Sequence, residues 1–225
     1  MPAAPRKPAF PPTAASADTT AAAVQHLSQA DPVLAAIISR GRPIQPLAHE
    51  DLYLALLRAI VSQQISTKAA AAIWRKVQAL FPPDGYPEPL ALTAMTDEDL
   101  RTAGISRQKA GYLRTIADFA LRDQLDHAHL SLLSADDFTR HLTQIKGVGR
   151  WTAQMLQMFA LDQPDVFAEG DLGVQNAMRK HYGLEETGRA LLKRMTEIAE
   201  PWRPYRSLAC KYLWQSLDNT PAPEQ

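Results

Sequence analysis

Hydrophobic positions recur at helical spacing along most of the chain, and no convincing alternating strand appears. Leu52, Leu56 and Ile60 lie on one face, with Tyr53 and Leu57 beside them. Polar punctuation brackets each such run. Asp31-Pro32 reads as an N-cap followed by proline at the first helical position, opening a helix over 33–39. Ser66 or Thr67 starts another that runs to about Leu80. Phe81-Pro-Pro-Asp-Gly-Tyr-Pro87 reads as a loop. Thr96-Asp-Glu-Asp99 has the capping-box pattern before a short helix ending at Gly104. Further helices are predicted over 106–121, 134–141, 150–161, 172–180, 187–199 and 205–217. The fold class is therefore all-α, with about ten helices.

Residues 1–22 are rich in Ala, Pro and Thr, and are expected to form a disordered tail. The helical pattern sets in near Val24 and ends near Leu217, leaving 218–225 as a flexible C-terminal tail.

Composition narrows the class. Hydrophobic residues make up 46% of 225, ordinary for a globular protein. No run of 18 or more apolar residues suggests a membrane span, and the N-terminus lacks a basic start followed by an apolar core. A cytoplasmic, nucleoid-associated protein that is not secreted is the expectation. Cys210 is the only cysteine, so neither an internal disulfide nor a four-cysteine iron–sulfur cluster can form. His127 and His129 fall in a short polar stretch without convincing zinc spacing. The formal net charge is +0, which argues against a large nonspecific phosphate footprint. A local basic patch is still available from Arg107, Lys109, Lys146 and Arg150.

The most informative string is Leu142-Thr-Gln-Ile-Lys-Gly-Val-Gly-Arg-Trp-Thr-Ala153, followed by Asp171 within Phe167-Ala-Glu-Gly-Asp-Leu-Gly173. It reads as a helix, a tight Gly-x-Gly turn, a second helix and a carboxylate in a loop. Gly147 and Gly149 permit a sharp turn and close approach to a bulky group. The helix starting after Gly149 points N–H groups and the positive end of its dipole outward, a site suited to phosphate. Leu100-Arg-Thr-Ala-Gly-Ile-Ser-Arg-Gln-Lys-Ala110 repeats the scheme more weakly, either as an ordinary helical hairpin or as a second backbone contact.

Other residues allow two readings each. Asp171 suits a cap for the helix at Leu172, and equally a catalytic acid; Glu169 is the nearby rival, while Asp162 and Asp165 read as loop structure. Ser62-Gln-Gln-Ile-Ser-Thr67 sits where one helix ends and the next begins. Its adjacent glutamines are either surface polar residues beside helix caps or contacts to a ligand, with Gln63 suited to a buried structural amide. Trp151 is either core packing or a pocket wall. Trp202 and Tyr205 suit helix–loop packing.

These motifs resemble the helix-hairpin-helix and Gly/Pro-Asp loop (HhH-GPD) superfamily of DNA glycosylases, in particular its 3-methyladenine DNA glycosylase II (AlkA-like) branch. The resemblance covers residues from about 45 to about 217, and the single cysteine excludes the cluster-bearing relatives similar to endonuclease III. It implies two helical subdomains with the active cleft between them: 23–49 with 166–217, and 50–165. It also implies a minimal form, without the β-rich N-terminal domain of some relatives.

By the same resemblance Asp171 is the catalytic aspartate. A carboxylate beside the sugar stabilises the oxocarbenium character that builds as an N-glycosidic bond breaks. Trp151 takes the position of the lysine nucleophile of bifunctional relatives; Lys146 does not match it, so base removal without strand cleavage is expected. Trp214 closes the C-terminal pattern Pro201-Trp-Arg-Pro-Tyr-Arg-Ser-Leu-Ala-Cys-Lys-Tyr-Leu-Trp214 and belongs to the base pocket with Trp151 and Met155, the last aromatic in the best-known relative. N3- or N7-alkylated purines carry positive charge, which an aromatic face attracts by about 0.5–2 kcal/mol. Gln64 aligns with the residue that fills the duplex when the target base leaves.

Implied DNA contacts are Ser62, Gln63, Gln64, Ser66, Thr67, Lys146, Gly147, Val148, Gly149, Arg150 and Thr152. A structural monovalent cation on backbone carbonyls near Ile145 and Val148 is the one inorganic group expected; no other cofactor is. The expected partner is double-stranded DNA with alkylated bases, bound by a monomer. Excision of uracil or hypoxanthine, and a non-catalytic DNA-binding module, are the competing readings.

Overall fold

The computed structural model describes residues 17–44, 51–122 and 124–217. Among these residues every regular element is helical. Among the described residues no helix is long and apolar enough to cross a membrane. The chain divides into two compact units, Met1–His49 with Glu169–Gln225, and Glu50–Ala168.

In the first unit, α1 (Ala17–Ala30) and α2 (Pro32–Arg40) precede the crossover. After it come α11 (Leu172–Tyr182), α12 (Gly188–Ala199), a 3-10 turn (Glu200–Trp202) and α13 (Arg206–Gln215). Helix α1 corrects the expected tail: residues 17–22, assigned to it, are helical. The alanines that suggested low complexity are also strong helix formers, and Ala23 and Leu27 bury one face of α1.

Asp31 organises this unit. Its Oδ1 accepts the Val33 and Leu34 N–H groups at 2.9 and 3.0 Å and so caps α2. Oδ2 accepts the Tyr182 hydroxyl at 2.8 Å and the Trp202 indole N–H at 2.9 Å. A single buried carboxylate thus joins α2, the end of α11 and the 3-10 turn. Burial, then the Asp31 charge, pushes the Tyr182 hydroxyl pKa upward, so the phenol stays protonated as a donor. Trp202 is a buried structural side chain, as helix–loop packing requires.

The second unit holds α3 (Leu52–Ser62), α4 (Thr67–Ala79), α5 (Pro89–Ala94), α6 (Asp97–Thr102), α7 (Arg107–Leu121), α8 (His127–Leu130), α9 (Ala135–Leu142) and α10 (Arg150–Phe159). Helix α3 is its axis: Leu52, Tyr53, Ala55, Leu56, Leu57, Ile60 and Val61 are all buried. That is more than one amphipathic stripe, as expected of a helix surrounded by others. Helix α7 packs Ala110, Leu113, Ile116 and Ala117 into the same core, as α9 does Phe138 and Leu142.

The polar punctuation works as the sequence suggested. Thr96 and Asp99 form both halves of the capping box. Ser66, Ser106 and Ser134 each accept a backbone N–H three residues on, opening α4, α7 and α9.

Candidate active site and nucleic-acid interface

The hairpin turn between α9 and α10 is fixed by two anchors. Ile145 and Val148 are buried, and the Val148 N–H donates to the Ile145 carbonyl at 3.0 Å. The two glycines of the turn do different work. Gly147 has φ 95°, and a Cβ there would lie 2.5 Å from the Tyr112 ring, so it is required inside the protein. A Cβ on Gly149 would meet nothing within 4 Å. Gly149 opens α10 with no side-chain cap, beside the exposed Lys146 and Arg150. Nothing around it in the structure requires a glycine, and the space beside the helix start is open, as approach to a phosphate would need.

A bulky residue at Gly149 is therefore expected to lower affinity for damaged and undamaged DNA alike, with thermal stability unchanged. The same change at Gly147 should lower stability as well. A melting-temperature loss for the Gly149 variant as large as that for Gly147 would contradict the division.

Two of the expected DNA contacts have buried side chains. Thr152 is only 4% exposed, at the wall of the hollow that Trp151 lines, and Val148 is buried in the core of the unit. Their side chains cannot meet a duplex; their backbone can. Ser66 is engaged as the α4 cap, and the Ser62 hydroxyl donates to the Ala59 carbonyl. Thr67 is the first residue of α4. The basic patch also shrinks. Lys109 turns inward, its Nζ donating to the Val61 and Gln63 carbonyls at 2.8 Å each, and burial lowers its pKa. Arg107 pairs with Asp97 at 3.3 Å.

Between α3 and α4 the chain makes a turn held from two sides. The Gln63 side-chain amide donates to the Gly147 carbonyl at 3.1 Å, tying this loop to the hairpin. Gln63 is thereby a structural amide rather than a free contact. Gln64 is exposed and takes φ 61°, the left-handed region that side-chain-bearing residues seldom occupy.

Trp151 is 48% exposed, which excludes the core-packing reading. It lines a hollow of about 680 Å³ in the second unit, with Met155, Phe159, Trp74, Ile65 and Ser62 among its other walls. Sequence reasoning missed Trp74 and Phe159. Nothing in their spacing separates them from ordinary core positions; Trp74 on α4 and Phe159 on α10 come to line one hollow only in the packed unit.

In the first unit, Asp171 is the N-cap of α11. Its Oδ1 accepts the Val174 N–H at 2.8 Å and the Trp214 indole N–H at 2.7 Å. The capping reading holds, and the cap orients the carboxylate. Trp214 serves here as a hydrogen-bond donor that fixes this carboxylate. Gly173, another residue the sequence reading passed over, makes the pairing possible. A Cβ at Gly173 would lie 2.7 Å from Trp214 Cδ1 and 3.0 Å from Asp171 Oδ1. A glycine in the first turn of a helix, where it costs stability relative to alanine, was the available signal. The rival acid Glu169 lies in the preceding loop, its carbonyl accepting the Gln175 side-chain amide at 2.9 Å. Among the described residues, no group of three or more His, Cys, Asp or Glu side chains could hold a metal ion.

The chain is similar in sequence and fold to proteins of known identity. DNA-3-methyladenine glycosylase 1 of Schizosaccharomyces pombe is 32% identical over 184 residues, spanning 81% of this chain and 80% of that protein. The crystal structure of a DNA-3-methyladenine glycosidase from Bacillus halodurans superposes with a TM-score of 0.78 at 33% identity, over 88% of this chain and 89% of that one. The Schizosaccharomyces pombe 3-methyladenine DNA glycosylase in complex with abasic DNA superposes with a TM-score of 0.73 at 31% identity, over 86% of this chain and 95% of that one. Residues 57–204 match the family described as HhH-GPD superfamily base excision DNA repair protein. With the hairpin, the capped aspartate and these relatives together, the chain belongs to the HhH-GPD superfamily of base excision DNA repair proteins.

Proposed function

We propose that this protein is a monofunctional DNA glycosylase acting on alkylated purines of the 3-methyladenine and 7-methylguanine type in double-stranded DNA. The observation that carries the reading is the Asp171 carboxylate, held by the Val174 N–H and the Trp214 indole N–H. A carboxylate fixed before reaction need not reorganise as charge develops, which is the condition for electrostatic stabilisation of an oxocarbenium-like sugar.

The reaction follows from these groups. The bond between the sugar C1′ and the base nitrogen breaks, and its electron pair leaves with the base. On an N3- or N7-alkylated purine that pair neutralises the positive charge, so no protonation of the leaving group is needed. Water adds to C1′ and its proton passes to Asp171 or solvent, leaving an abasic site. Trp151 has no amine with which to attack C1′, so no Schiff base forms and the strand stays intact. Its exposed indole gives a cationic base an electron-rich face. Met155 adds a polarisable apolar wall in place of a second aromatic.

The hairpin holds one strand through phosphate contacts at Gly149, Arg150 and Lys146. A monovalent cation on the Ile145 and Val148 carbonyls suits this role. Each carbonyl has two lone pairs, and Val148 uses one of those on Ile145. When bound, such a cation adds positive charge at the phosphate contact. Gln64 fills the duplex as the lesion leaves the stack. A monomer suffices for every step.

Competition among lesions tests the substrate class. With 7-methylguanine, uracil and hypoxanthine in the same duplex context, single-turnover excision is expected to be fastest for the cationic base. Faster release of uracil or hypoxanthine would assign a different pocket chemistry, and release of none would reduce the chain to a binding module.

A further inference from the structure

Gln64 keeps a left-handed backbone although it is not glycine. Such a conformation persists only where the surroundings over-determine it. Those surroundings are specific. Gln63 is the C-cap of α3, and helix carbonyls at this end lack intrahelical partners. The Lys109 ammonium, reaching from α7, supplies donors to two of them, Val61 and Gln63, at 2.8 Å each. A cation at a helix C-terminus is also favoured by the dipole. The other side of Gln63 is tied by its side-chain amide to the Gly147 carbonyl at 3.1 Å. The residue before Gln64 is thus gripped by its carbonyl and by its side chain.

We propose that Lys109 is a positioning residue for the duplex plug: its ammonium fixes the Gln63 peptide so that Gln64 is already set in its left-handed conformation when the lesion leaves the stack. The proposal rests on the reading of Gln64 as the plug. It gives the basic end of α7 an internal duty in place of a phosphate contact.

Lys109→Met keeps the length of the side chain and removes the donors. Single-turnover excision of one lesion is measured in matched duplex and in single strand, for wild type, Lys109→Met, Gln64→Ala and the double variant. Lys109→Met should slow matched-duplex excision by about tenfold and leave the single-strand rate unchanged, since only the duplex requires a plug. It should add little to Gln64→Ala. Lys109→Arg, with donors enough for both carbonyls, should restore most of the duplex rate.

An equal loss on both substrates, or full additivity with Gln64→Ala, overturns the proposal. So does a fall of about one in the salt slope of nonspecific binding, which would make Lys109 a phosphate contact. If Gln64→Ala shows no duplex-selective loss, the plug reading fails and the proposal with it. If Gln64→Ala shows one and Lys109→Met does not, the clamp alone fails. Should Lys109→Met not fold, Lys109→Gln, whose amide retains donors, carries the same comparison with a smaller expected loss.

Discussion

Asp171→Asn is expected to lower single-turnover base release by about 10²–10³-fold or more, the range found when a preorganised electrostatic partner of a transition state is removed. The substitution is nearly isosteric. The asparagine carbonyl can still accept from the Val174 N–H and from Trp214, the two bonds that Asp171 Oδ1 accepts at 2.8 and 2.7 Å. The cap of α11 and the place of the indole therefore survive, and only the negative charge is lost. Melting temperature and affinity for lesion-bearing DNA should stay near wild type, with affinity rising slightly once a negative charge is removed. Retention of wild-type rates would remove Asp171 from the chemistry. A parallel loss of rate and melting temperature would make it a cap and nothing more.

Asp31→Ala is expected to produce the largest loss of stability among single substitutions in the first unit. The carboxylate is buried and accepts four hydrogen bonds, from Val33, Leu34, Tyr182 and Trp202. Alanine strands all four donors, among them the fully buried Trp202 indole and the half-buried Tyr182 hydroxyl. A lost helix cap costs about 1 kcal/mol and an unsatisfied buried donor about 1–3 kcal/mol, so a loss of about 3 kcal/mol is expected. For a chain of this size that corresponds to a fall in melting temperature of roughly 10 °C. Asp31→Asn should recover part of the loss, since its carbonyl can still cap α2 while its amide nitrogen cannot accept from Trp202 or Tyr182. Denaturant titration of the three proteins measures this, and a loss below about 1 kcal/mol for alanine would contradict the account.

The helices were legible because their starts are written in local chemistry. Asp31, Ser66, Thr96, Ser106, Ser134 and Asp171 all accept backbone N–H groups of the helices that follow. Short elements escaped. Helix α5 spans six residues and buries only Leu92, too little for a periodic signal. Helix α8 is one turn long. The first turns of α1, residues 17–22, were hidden by a composition shared with disordered tails.

At the site, residues with a local motif were found, and those defined by distant partners were not. The hairpin glycines, Asp171 and Gln64 sit in recognisable strings. Gly173 matters only because Trp214, far along the chain, lies against it. Lys109 looked like one more surface cation on a basic helix. Its duty appears only when the end of α3 is placed beside it. Thr152 and Val148 went the other way: the motif that contains them resembles a DNA-gripping one, while their own side chains are buried.

The most direct test of the central claim follows both products of one reaction. A duplex carrying a single 7-methylguanine is incubated with the protein, with and without borohydride, and the free base and the damaged strand are quantified together. The account predicts free base and intact abasic strand in equal amounts, no borohydride-trapped protein–DNA adduct, and both products slowed by about 10²-fold or more when Asp171→Asn replaces the wild type. A trapped adduct, strand cleavage that keeps pace with base release, or undiminished release by Asp171→Asn would contradict it.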